Sequence, residues 1–227
     1  MCGRYAHTRT PDQLLLDFSA RLGDLFEDVG PDHNMAPTKK APIVVGRSEE
    51  SAAVRELVTG TWGLVPGWAK DPSIGSRMIN ARIETVAEKP AFRTAFGKRR
   101  AVVPVDGYYE WYVPEAGPKQ PFFLSRPGGL SLAGLYEWWK RPDGTWHLSF
   151  TILTTAAEGA DGILHDRAPL IVAPEVLDDW LAPEPAPDLL AVLEPATPGR
   201  VDAWPVSRAV GNVRNNGPEL VVPLPAE

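Results

Sequence analysis

With one cysteine in 227 residues, the chain can form no internal disulfide and no cysteine-rich structural zinc site. No apolar run approaches the roughly 18 residues that a membrane-spanning helix needs. The first residues carry neither the basic segment nor the apolar stretch of a secretory signal. A soluble, cytoplasmic protein with no membrane partner is therefore expected. Positive charge is in deficit: 23 Lys and Arg face 29 Asp and Glu, for a net charge of −6. That balance argues against an indiscriminate nucleic-acid coat protein and leaves room for a local basic cleft. With 24 prolines and 20 glycines, long uninterrupted helices are disfavoured and short strands joined by turns are favoured.

What the chain does contain is apolar and aromatic. Hydrophobic residues make up 44% of it, including eight Trp, seven Phe and five Tyr, enough for a substantial core in one domain spanning 1–227. Thr10-Pro11-Asp12-Gln13 reads as a capped helix start, with Leu14, Leu15, Phe18 and Leu22 on one face. Gly23 to Pro37 reads as loop. Strands are expected at Ile43–Val45, Val54–Val58, Ala101–Val105, Tyr108–Tyr112, Pro121–Ser125, Leu130–Leu135 and Trp146–Leu153. Asp106-Gly107 predicts a hairpin turn. In the last strand, alternation of Trp146, Leu148, Phe150 and Ile152 predicts one buried face. Short helices are expected at Pro90–Lys98 and Pro174–Leu181, and a proline-bounded helix between Pro183 and Pro198. Strands without regular intervening helices fit a doubly wound sheet poorly. The fold class is α+β, mainly antiparallel sheet or irregular barrel with a few short helices.

The lone cysteine is Cys2. Removal of Met1 before a small residue gives Cys2 a free α-amine beside its thiol. The amine, with an ordinary pKa near 7.7–8.0, attacks an aldehyde to form an imine, and the thiol then closes a five-membered thiazolidine. An accidental terminal cysteine is one alternative. An N-terminal-nucleophile amidohydrolase, in which the amine serves as base for its own thiol, is another.

Other polar residues have telling neighbours. Glu110 lies among Tyr108, Tyr109, Trp111 and Tyr112, a setting that raises a carboxyl pKa and suits a general acid or base; periodicity alone favours its pointing outward from a half-buried strand. His165, between Leu164 and Asp166-Arg167, suits a proton shuttle, or is an ordinary surface histidine. No histidine pair has zinc-ligand spacing, so no metal or cofactor is expected.

Met1-Cys2-Gly3-Arg4, Asn34-Met35-Ala36-Pro37, Trp62-Gly63, Pro66-Gly67-Trp68, Ile79-Asn80-Ala81-Arg82, Gly107-Tyr108-Tyr109-Glu110-Trp111, His165-Asp166-Arg167 and Pro205-Val206-Ser207-Arg208 occur in that order. Together they resemble the SRAP family, the SOS-response-associated peptidase domain, whose members shield abasic sites in single-stranded DNA by covalent crosslinking. The resemblance implies Cys2 as the crosslinking nucleophile and Asn80 as the partner of the opened deoxyribose. It implies Glu110 as acid/base for imine and ring formation, and His165 as proton donor and acceptor for sugar opening and slow reversal. Arg4, Asn34, Arg82 and Arg167 match positions that hold the strand, and Trp68 is a stacking platform. Ala69 departs from members that carry a second aromatic there. The expected partner is abasic single-stranded DNA, bound by a monomer, with a replication-associated recruiter allowed for. A cysteine-dependent peptidase and a non-covalent strand-binding module are the rival readings.

Overall fold

The computed structural model describes residues 2–49, 52–157, 164–182, 193–196 and 200–225. The strands are β1 (Tyr5–His7), β2 (Arg21–Leu22), β3 (Asp32–Met35), β4 (Lys40–Glu49), β5 (Ala52–Trp62), β6 (Asn80–Arg82), β7 (Arg100–Tyr112), β8 (Gln120–Lys140), β9 (Trp146–Ala156), β10 (Arg167–Val172), β11 (Leu193–Pro195) and β12 (Asp202–Pro205). Among the described residues the helices are α1 (Pro11–Asp17), α2 (Arg93–Lys98) and α3 (Leu177–Leu181), with short 3-10 segments besides. Among the described residues, no helix is long and apolar enough to cross a membrane.

One mixed, mostly antiparallel sheet closes on itself. The pairings β4–β5, β5–β9, β9–β8, β8–β7 and β7–β4 make a ring of strands. Inside it pack Tyr5, Val45, Trp62, Val103, Tyr108, Leu132, Phe150 and Ile152. Outside, α3 lays Leu177, Trp180 and Leu181 against Val44, Val102 and Leu135. Because a strand presents alternate residues to opposite faces, the ring strands are apolar on both. This corrects the one-sided reading of β9: Ser149, Thr151 and Leu153 are as buried as Phe150 and Ile152, and Trp146 is exposed.

Helix α1 starts as expected. The Thr10 hydroxyl accepts from the Gln13 amide at 3.3 Å and Gln13 Oε1 accepts from the Thr10 amide at 2.9 Å. It stops at Asp17, with Ser19 at φ 47°, so Leu22 leaves the helical face and sits exposed in β2, parallel to β5. The segment read as loop contains β3, which pairs with β1. The proline-bounded helix falls mostly outside the described residues; its Leu193–Pro195 end is strand β11.

Asp106-Gly107 is not a turn. β7 runs straight through it, and the two strands expected around 121–135 are one strand, β8. The register passes from Val105↔Leu130 to Gly107↔Ser125, so Arg126 to Gly129 of β8 bulge opposite Asp106. Gly128 and Gly129, at φ 83° and 76°, supply the left-handed backbone for that bulge. Gly107 serves close approach: a Cβ there would lie 2.5 Å from the Leu124 carbonyl oxygen and from the Phe123 ring. Gly107→Ala is expected to cost about 1–3 kcal/mol, because backbone and a buried ring must both give way. A thermal melt checks this, and an unchanged midpoint would refute it.

Candidate active site

Past the bulge, β7 carries Tyr108 and Glu110 on the face that looks into the ring. Both are buried, and Phe122 stands opposite Glu110 across the β7–β8 ladder. Glu110 therefore points inward. Burial raises its carboxyl to a pKa of about 7; the charge of the amino terminus and the Trp111 amide pull it down, and Asp166 adds to the rise.

Cys2, just before β1, is fully buried among Tyr5, Met35 and Trp62. Burial pushes its thiol pKa up, as does the Glu110 charge, while the amino terminus and a hydrogen bond from the Arg4 amide act against the rise. Asn80, at the start of β6, donates from Nδ2 to the Cys2 carbonyl at 2.8 Å. Strand β6 lies parallel to β9, with Asn80 against Ile152. Asn80 Oδ1 is buried and has no hydrogen-bond partner among the described residues, which leaves one acceptor open beside Cys2.

His165 lies before β10. Its Nδ1 is 3.0 Å from the Arg167 amide nitrogen and 2.6 Å from Asp166 Oδ1. Bare, Nδ1 accepts from the amide; protonated, it donates to the carboxylate. Either state has a partner, as a proton shuttle requires. Burial lowers the His165 pKa, followed by the amino terminus; Asp166 raises it and Arg167 lowers it. The amino-terminal charge thus acts on Cys2, Glu110 and His165 alike. Among the described residues, no cluster of three or more His, Cys, Asp or Glu is placed to hold a metal ion.

The residues expected to hold a strand divide into two groups. Trp68 is 61% exposed. Its turn is pinned beneath by Trp139, whose Nε1 donates to the Ala69 carbonyl at 2.7 Å, so the indole stands out from a fixed base. Arg82 is exposed, and no hydrogen bond or ion pair among the described residues engages its side chain. The other three turn inward. Arg4 donates to Asn34 Oδ1 at 2.7 Å and to the Val210 carbonyl at 2.9 Å, with its guanidinium over Trp111. Asn34 is fully buried and donates from Nδ2 to the carbonyls of Val210, Asn212 and Asn215. Arg167 is held by Glu84 and Thr154. Arg4 and Asn34 therefore organise the 210–215 segment; Arg208, just before it, and Arg214, on it, are exposed.

Sequence reading missed Glu84, Arg208 and Arg214. Glu84 had a signal, an acid two residues from a predicted basic contact; Arg208 closes the Pro205-Val206-Ser207-Arg208 motif but was given no role, and Arg214 lies outside the quoted motifs.

A closed ring of strands that buries Cys2, close to the amino terminus, with a raised carboxyl and an open amide acceptor defines the class of site this chain carries. Residues 1–213 match the family described as SOS response associated peptidase (SRAP). The chain belongs to that family. It is 35% identical over 228 residues to the abasic site processing protein YoqW of Bacillus subtilis, covering 97% of this chain and 99% of that one. It is 34% identical over 242 residues to the abasic site processing protein YedK of Escherichia coli, covering 99% and 100%. A crystal structure of a Bacteroides thetaiotaomicron protein has the same fold, with a TM-score of 0.82 at 23% identity over 98% of this chain and 100% of that one.

Proposed function

We propose that the chain processes abasic sites in single-stranded DNA, capturing them through Cys2 as a thiazolidine once Met1 is removed. The observation that carries this reading is the bond from Asn80 to the Cys2 carbonyl, which ties Cys2 to a site where the amino-terminal charge lowers the pKa of both Glu110 and His165. The relatives' names supply the substrate: an abasic site opens to an aldehyde, the electrophile an aminothiol captures best.

In this reading the Cys2 amine adds to the aldehyde carbon to give a carbinolamine. Protonated Glu110 delivers a proton to the departing hydroxyl, water leaves, and an imine forms. The imine emerges protonated, so its nitrogen already carries the hydrogen it keeps; the Glu110 carboxylate takes the thiol proton as the sulfur adds to the imine carbon, and the five-membered ring closes with loss of one water overall. A carboxyl with a pKa of about 7 does both jobs at neutral pH, being populated in both forms. His165 moves the proton that opens the sugar, and Asn80 Oδ1 accepts from a deoxyribose hydroxyl. Arg82, Arg208 and Arg214 face phosphates, so a net charge of −6 does not prevent local binding.

The test is intact-mass measurement after mixing the purified protein with an oligonucleotide carrying one abasic site. Expected is loss of Met1 and a species equal to protein plus DNA minus water. Hydrolysis of an amide substrate with no such adduct would favour the peptidase reading. Trp68→Ala is expected to weaken binding to single strands by about 1–3 kcal/mol, one base-stacking contact, without lowering the melting temperature. Fluorescence anisotropy at fixed salt checks it, and unchanged affinity removes Trp68 from the interface.

A further inference from the structure

One short segment touches both halves of the site. Asn80 binds the Cys2 carbonyl, and four residues on, Glu84, in the 3-10 turn Ile83–Thr85, reaches the base of the loop that carries His165. That loop joins β9 to β10, whose ladder closes at Arg167↔Ala156. Glu84 Oε1 accepts from the Ala156 amide at 3.2 Å and from Arg167 Nη1 at 2.8 Å; Oε2 accepts from Arg167 Nη2 at 3.0 Å. Arg167 Nη2 also donates to the Thr154 carbonyl at 2.6 Å and to its hydroxyl at 3.2 Å. The backbone amide of the same Arg167 donates to His165 Nδ1.

We propose that Glu84 is a positioning residue: by clamping both strands at the base of the β9–β10 loop, it fixes the His165 imidazole relative to Cys2. An exposed ion pair would contribute little. Glu84 is itself 45% exposed, but the pair is bidentate, its arginine is 11% exposed, and it joins the turn after β6 to two strands at once. The guanidinium that the family resemblance assigns to a phosphate is committed to this carboxylate, so a phosphate has to share Arg167 with Glu84 or displace it. The groups facing His165 are Asp166, Arg167 and the amino terminus.

The kinetic part of this inference rests on the crosslinking reading, and the positional part does not. Glu84→Gln keeps the shape and removes the charge. In the free protein, the His165 titration followed by NMR, assigned by its loss in His165→Gln, is expected to move up toward the ordinary imidazole value as the ring regains solvent. Crosslinking to abasic DNA is expected to slow about tenfold from the misplaced shuttle, while affinity for an undamaged strand is not lowered, the freed Arg167 guanidinium being open to a phosphate. Glu84→Asp restores part of the rate. Arg167→Lys, which keeps the charge and loses the fork, shifts the titration the same way and decides the matter if Glu84→Gln does not fold. An unshifted His165 titration in the folded variants overturns the proposal, as does a rate loss matched by an equal loss of strand affinity. If the wild-type protein forms no adduct, the crosslinking reading fails and the titration alone decides on Glu84.

Discussion

Cys2→Ala is expected to abolish the DNA adduct that survives heat and denaturant, while leaving the fold intact. Alanine also permits removal of Met1, so the variant keeps its α-amine and loses only the sulfur. The imine still forms, but nothing traps it, and it hydrolyses. Borohydride should therefore recover a covalent species from Cys2→Ala and from Cys2→Ser, and without borohydride neither should show one on a denaturing gel. A heat-stable adduct in Cys2→Ala at wild-type yield would remove the thiol from the chemistry. Because the thiol pKa is raised by burial and by Glu110, the sulfur waits as SH until a base takes its proton. Alkylating reagents should accordingly label the free protein slowly at neutral pH.

Glu110→Gln is expected to slow adduct formation about 100-fold, at the lower end of what one general acid/base supplies. DNA affinity should be retained. The wild-type rate should change with pH around 7, where Glu110 titrates, and the glutamine variant should lose that inflection. Stability should move the other way. Since the folded pKa lies above the ordinary carboxyl value, the folded state holds its proton longer than the unfolded one. The stability this proton confers is full below the ordinary value of 4.5 and is lost as pH rises through about 7. Above that, the wild-type protein carries a buried charge that the glutamine variant lacks. Glu110→Gln should melt higher than wild type at pH 8, with the gap closing toward pH 4.5. Equal melting temperatures at pH 8 would mean that Glu110 is not held in the environment described.

Much of the proposed site was legible because it is written in short, chemically distinctive words. Cys2 stood out through its position, Glu110 through its aromatic neighbours, and Trp68 only through the family resemblance. What could not be read was which polar groups the fold turns inward. Asn34 and Arg4 look like strand contacts in sequence, yet the 210–215 segment returns across nearly the whole chain to occupy them. Arg167 likewise meets Glu84, 83 residues away in sequence. In the fold, the α1 cap was local and readable, down to both hydrogen bonds of its capping box. The Asp106-Gly107 step misled because the same two residues serve a tight turn or a bulge, and only the approach of Leu124 and Phe123 decides between them. One-sided burial of β9 failed for a related reason: periodicity reports the polarity of a strand's own residues, whereas closure of the ring covers both faces.

That closure bears on how the protein is made. Cys2 is among the first residues to leave the ribosome. Asn80, Glu110 and His165 follow much later, and β8, which pairs with β7, β9, β10 and β12, must form before they can share one site. Until then the aminothiol has neither an acid to expel water nor an amide to hold it in place. A ribosome-bound chain released before β9 should react with an abasic oligonucleotide no faster than free cysteine does. On the crosslinking reading, the chain exceeds free cysteine in reactivity toward an abasic site only once the last strands of the ring arrive.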